Sequence, residues 1–157
     1  MIDPAQLIDN LVALLRDIPD LAAEMGGDEQ RIFAYHDQYP KRSSLAAAIH
    51  DMPAPSIMAA WQGTAPGAFG GFDVWKHSIT LYIRARETFD GDPPTAYYQL
   101  FRLITKGVPA SANVPMLNVT VHPSCYPMDL PLIQRQTDAE GLDYFEVPIT
   151  FTEIGDE

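Results

Sequence analysis

Apolar and polar residues alternate most clearly over Val74–Arg86, VWKHSITLYIRAR. Trp75, His77, Ile79, Leu81, Ile83 and Ala85 fall on one side; Lys76, Ser78, Thr80, Tyr82, Arg84 and Arg86 fall on the other. A period of two marks a strand with one apolar face. At about 3.3 Å per residue the run spans roughly 40 Å, more than a small core covers. Part of it is therefore expected to project and meet a partner.

The same reading orders the rest of the chain. Asp3 caps a helix that has Pro4 at its first position, and Leu7, Leu11, Leu14, Leu15 and Ile18 recur at helical spacing. Pro19 ends or kinks that helix, and Asp20 is placed to cap a further short turn, LAAEM, stopped by Gly26-Gly27. Arg31–Tyr35 reads as a short strand. Ser43 or Ser44 opens a short helix, SLAAAIHDM. Ser56–Gln62 is a strand with Ile57, Ala59 and Trp61 on one face and Met58 and Ala60 on the other. Gly63–Asp73, GTAPGAFGGFD, reads as a glycine-rich loop that joins this strand to the long one.

After a turn-rich segment, 87–93, a helix is expected near 94–106, then a strand at Met116–His122. A weaker strand at Leu130–Thr137, a turn at Asp138–Gly141 and an alternating strand at Leu142–Ile154 form a hairpin. Pro148 lacks a donor, which favours an edge position for that last strand. The order predicts one α+β domain over residues 1–157: a mainly antiparallel sheet, helices packed on one face, and a long projecting β-hairpin.

Composition changes this picture in two ways. With 46% apolar residues the chain can bury a core, and it has no apolar run long enough for a membrane helix. The opening MIDPAQLIDNLVALL has no signal-peptide pattern, and Cys125, the single cysteine, excludes an internal disulfide framework. The net charge of −11 is uneven: −6 over residues 1–30, −7 over 129–157 and +2 between them. Such a chain repels phosphate backbones and acidic membranes.

Candidate chemistry is sparse. The glycine loop has no Lys-Ser/Thr after it and so is not a P-loop. His122, Cys125 and Asp129 have ligand-like spacing without a second pair, and no third group orients a thiol–imidazole pair. Glu146 and Glu153 near the final strand, and Asp138, Glu140 and Asp143 in its turn, read as solvated charges. No catalytic, cofactor or metal residues are assigned. The aromatics and arginines offer an interaction surface instead: Phe69 and Phe72 in the loop, with Tyr82, Arg84 and Arg86 on the polar face of the long strand.

The segments PSIMAAWQGT, VWKHSITLYIRA, AYYQLFRLITKG and LPLIQRQTDAEGLDYFEVPITFTEIGDE, taken in order, resemble the tail terminator or tail-completion proteins of long-tailed bacteriophages and phage-derived particles. The resemblance implies a structural virion protein without catalytic residues. It implies a homo-oligomeric ring, a hexamer, that caps the tail tube protein, stops tail polymerisation and joins a head-closure or connector protein. DNA would pass through the ring unbound, no membrane is involved, and assembly takes place in the host cytoplasm. Two alternatives compete: another neck component, namely a head-closure or connector protein, and a small-molecule-binding α+β domain built around His122, Cys125 and Asp129.

Overall fold

The computed structural model describes residues 1–37, 44–84, 125–129 and 134–154, with the backbone alone for Phe69, Cys125–Asp129 and Ile154. Arg86, the helix expected near 94–106 and the strand expected at Met116–His122 lie outside these residues.

Helix α1 (Pro4–Arg16) begins as the sequence dictates, with Asp3 Oδ1 accepting from the Ala5 N–H at 3.0 Å. It buries Leu7, Ile8, Leu11, Val12 and Leu15 along one stripe. Its far end is fixed by Arg16, whose Nε donates to the Ile32 carbonyl at 2.8 Å. Pro19 forces Ile18 into extended geometry and then occupies the first turn of α2 (Pro19–Glu24). Asp20 therefore lies inside α2 and does not cap it. The N–H groups of Gly26 and Gly27 donate to the carbonyls of Ala23 and Ala22 and close α2 in a Schellman turn.

Strand β1 (Ile32–Ala34) runs parallel to β2 (Ser56–Phe69), and the crossover carries α3 (Leu45–His50), capped by Ser44. The remaining pairings are antiparallel. β2 pairs with β3 (Phe72–Arg84), and β3 pairs with β6 (Asp143–Ile154). The outer side of β6 takes β4 (Cys125–Asp129) toward one end and β5 (Gln134–Thr137) toward the other. The fold is α+β on a mixed, mostly antiparallel sheet.

Four expectations change. The glycine-rich segment is strand rather than loop: β2 continues to Phe69, and only Gly70 and Gly71, both at positive φ, make the turn. Such a turn matches the twist of the flanking strands and needs residues without a Cβ strain penalty. The local glycine and proline content is overridden because β3 supplies a complete pairing partner. A register shift between Trp61 and Gly63 then moves Thr64 and Pro66 onto the face that carries Ile57 and Ala59.

Secondly, helices cover both faces. α1 and α2 pack on Ile57, Ala59, Ile79, Leu81, Ile83, Val147, Ile149 and Phe151. On the opposite face, Ala48 and Ile49 of α3 and the following Met52 pack on Met58, Ala60 and Tyr82. The apolar run Ile57–Ala60 has no polar face, so both sides of β2 need cover. Thirdly, β6 is an interior strand. Pro148 pairs with Thr80 on one side, and on the other it falls in the gap between the residues that β5 and β4 engage. Fourthly, Cys125–Asp129, to which the sequence assigned no element, is a strand.

Tyr82 and Arg84, expected on an exposed polar face, are buried beneath this second layer at 5% and 6% exposure. The Tyr82 hydroxyl accepts from Gln62 Nε2 at 2.8 Å. Arg84 Nη2 donates to the Ile49 carbonyl at 2.8 Å and lies 3.6 Å from Asp138 Oδ2. Arg84 thus ties the C-terminal end of α3 and the β5–β6 turn to the sheet. Loss of one partner from a buried charge pair is costly. Arg84→Ala is expected to lower stability by about 3 kcal/mol, read from urea denaturation. A change within about 0.5 kcal/mol, the range for ordinary surface sites, would contradict this role.

Candidate interaction surface

The structured layers stop before the hairpin does. β1 accompanies β2 only through Ala59, and β6 accompanies β3 only as far as Val74. Past Ala59 the hairpin becomes an arm in which β2 has no outer partner among the described residues while β6 still pairs with β3; only its tip, Ala68–Asp73, is two-stranded, and there Phe69 and Phe72 pair across the Gly70-Gly71 turn. Phe72 is 68% exposed at the tip, Trp61 is 49% and Trp75 is 37%. Opposed residues of an antiparallel pair share a face. Pro66 therefore lies beside Trp75, on the face that also carries Trp61. Large apolar side chains gathered on one exposed element mark an interaction surface.

A buried polar chain stiffens the root of the arm. His77, fully buried, faces Thr64 across the strands at 2.9 Å (Nδ1···Oγ1) and meets Glu153 Oε1 at 2.9 Å through Nε2. Trp61 Nε1 donates to Thr64 Oγ1 at 3.0 Å, and the Ile2 N–H donates to Glu153 Oε1 at 2.8 Å. Burial works against the charged form of Glu153, but the donors at Ile2 and His77 outweigh it and lower its pKa. Hydroxyl, imidazole and carboxylate stand in the order of a nucleophilic relay. Here, however, the imidazole is sealed from solvent, and both its nitrogens are engaged within the protein. The chain acts as a lock between the start of α1 and the sheet.

A second concave feature lies on the face that α3 covers. A groove of about 600 Å³ runs between α3, Tyr82 of β3 and the β5–β6 turn. Its floor holds Tyr82 and Tyr144, with ring centroids 6.1 Å apart, and Glu146, which pairs with Tyr82 in the strand register. At one end His50 Nδ1 lies 3.0 Å from Asp138 Oδ2, and its Nε2 lies 3.3 Å from Glu140 Oε2. Burial and the charge of Glu146 push the Tyr82 phenol up to about 12. Asp138 is opposed by burial, yet hydrogen bonds from His50 and from the N–H groups of Leu142 and Glu140 hold its carboxyl down at about 2. The hydrogen bond to Asp138 raises the pKa of His50.

Of the residues expected to form the interface, the structure keeps Phe69 and Phe72 together and sets Tyr82 and Arg84 apart from them. Ten residues of strand separate Phe72 from Tyr82, about 33 Å. Arg86 lies outside the described residues, as does His122, while Cys125 and Asp129 stand on β4 opposite Glu153 and Thr150. The sequence reading missed Trp61 and Trp75 as surface residues, although the excess length of the strand pointed to an uncovered end. It also missed the groove, whose His50 and Asp138 are 88 positions apart. Asp138, Asp143 and Glu153 are not solvated charges: the Asp138 side chain is 8% exposed, Asp143 is buried beside Arg135, and Glu153 is buried against His77 and the Ile2 N–H. Among the described residues, Asp9, His36 and Asp37 have metal-ligand spacing, all of them exposed, with His36 Nε2 already 2.9 Å from Asp9.

A scan of protein-family models gave no match, and a search of curated proteins gave none either. The surface and the groove are therefore read on their own chemistry.

The His50–Asp138 pair makes stability depend on pH with a definite sign. Asp138 is held below its ordinary 3.8, so its contribution is present above that pH and is lost as pH falls toward about 2. His50 is raised above 6.5, so its contribution is complete below 6.5 and is lost as pH rises through the folded value. The stability difference between the wild type and His50→Gln should be largest between pH 3.8 and 6.5 and shrink on either side. Urea denaturation across that range checks it. Asp138→Asn should bring the His50 titration midpoint down in proton NMR, and an unmoved midpoint would refute the pairing.

Proposed function

We propose that this chain is a structural, ring-forming subunit of the tail-terminator type, which caps a tail tube and provides the surface that joins it to the head. The observation that carries this reading is the aromatic arm: Phe72 stands exposed at the tip of the β2–β3 hairpin, and Trp61 and Trp75 stand exposed on the stretch where β2 has no outer partner among the described residues. A head-to-tail ring needs two different surfaces on each subunit. The arm supplies one of them, and the body of a neighbouring copy or the tube supplies the other. The order of segments that resembles tail terminators, and the acidic termini of the sequence, support the same reading. A channel that DNA crosses without sticking is served by negative charge.

Magnitudes favour a closed assembly over isolated pairs. Burial of a fully exposed aromatic side chain contributes about 2 kcal/mol, so Trp61, Phe72 and Trp75, each only partly exposed, give about 3 kcal/mol gross. Association costs about 4–15 kcal/mol. One arm alone therefore holds a neighbour weakly, whereas ring closure gives every subunit two contacts and raises the effective concentration of each. The alternative neck component, a head-closure or connector protein, would use the same arm on a different partner, the portal side rather than the tube.

Light scattering of the chain, alone and with tail-tube protein, tests the proposal. A ring or a tube-bound species is expected. Phe72→Ser combined with Trp75→Ser should abolish it while changing monomer stability by no more than about 0.5 kcal/mol. A chain that stays monomeric and binds no tube in any condition would overturn the reading.

A further inference from the structure

We infer that the groove between α3 and the β5–β6 turn is a recognition site for an organic cation, the ammonium or guanidinium side chain of a lysine or arginine on a partner polypeptide. The arrangement of charge and ring decides the sign of the ligand. Tyr82 and Tyr144 stand side by side at 6.1 Å, inclined at 55°, and Glu146 lies across from Tyr82 on the same face of the sheet. A carboxylate beside two phenol rings makes a site that attracts a cation twice, through the carboxylate charge and through the negative ring faces. No hydrogen bond or ion pair to Glu146 is found among the described residues. By contrast, Arg84 and His50, the positive groups beside it among the described residues, are already engaged. Arg84 is buried against Ile49 and Asp138, and His50 is held between Asp138 and Glu140.

The walls suit a long basic side chain rather than a compact ion. Leu45 and Ile49 of α3 line the groove and offer apolar cover for a methylene stem, with Glu146 beyond them for the charged head. The groove's volume of about 600 Å³ falls within the range of sites that hold organic ligands. Its open side leaves room for the main chain that carries the side chain. Charge complementarity selects a polypeptide occupant with a basic residue over an acidic one. The inference stands apart from the tail-terminator reading, since it rests on the groove and not on the arm.

The test is an NMR titration of the full chain, following Tyr144 and Glu146, with Nα-acetyl-arginine and Nα-acetyl-lysine methylamides. The neutral analogues Nα-acetyl-citrulline and Nα-acetyl-norleucine methylamides serve as controls. The charged probes are expected to bind about tenfold more tightly than the neutral ones. Glu146→Gln should erase that preference. Tyr144→Leu should weaken binding of the charged probes, while Tyr144→Phe, which keeps the ring, should not. The tyrosine variants decide the matter if Glu146→Gln fails to fold. Equal binding of charged and neutral probes, or a preference that survives both Glu146→Gln and Tyr144→Leu, would overturn the inference. Tighter binding of free putrescine than of either blocked amino acid would overturn the polypeptide source. Assembly measured by light scattering is a separate readout, so failure of the ring would leave this result standing.

Discussion

Six consecutive residues of β3, Ile79 to Arg84, are buried, although their side chains alternate between the two faces of the sheet. A strand in that position requires cover on both sides at once. α1 and α2 supply it on the face of Ile79, Leu81 and Ile83, and α3 supplies it on the face of Tyr82. The polar groups trapped by this arrangement then need partners inside the protein, because an unpaired buried donor or charge is expensive. Arg84 finds the Ile49 carbonyl and Asp138, Tyr82 finds Gln62, and His77 finds Thr64 and Glu153. These contacts join each covering layer to the sheet, so burial of one strand fixes the placement of α1, α3 and the β5–β6 turn.

The same constraint explains the arm. β1 leaves the outer side of β2 after Ala59, so the hairpin continues with that edge open while β6 still pairs with β3 as far as Val74. At the tip, Ala68–Asp73, the strands have only each other, and an isolated two-stranded hairpin is marginal in water. Two features compensate. The Gly70-Gly71 turn closes the hairpin in the twist its strands require, and the Trp61–Thr64–His77–Glu153 chain anchors its root. The cost is aromatic surface left in solvent. An oligomeric subunit turns that cost to use, because the surface is buried again when a partner arrives.

The groove arises at the opposite end of the same strand. Burial of Arg84 beneath α3 draws Asp138 of the β5–β6 turn inward, and His50 closes over it. Among the described residues, the carboxylate that remains in the groove without such a partner is Glu146, beside two tyrosine rings. Arm and groove are thus two consequences of one strand, the first where its cover ends and the second where its cover is complete.

Periodicity alone determined the elements whose residues carry their own signals: α1 with Asp3 and Pro4, α3 with Ser44, the long alternation of β3, the final hairpin, and the α+β class. Each depends on neighbours within a few positions, where capping and side-chain period act. Tertiary structure decided what depends on pairing across the chain. Glycine and proline content marked 63–71 as loop, yet an intact ladder with β3 made most of it strand. Tyr82 and Arg84 looked like a solvent face, because a polar side chain reads the same whether it meets water or a buried partner. Only the position of α3, set by a parallel crossover from β1, told the two apart. The exposed tryptophans looked like core for the converse reason: alternation shows which residues share a face, but not how far along the strand that face is covered.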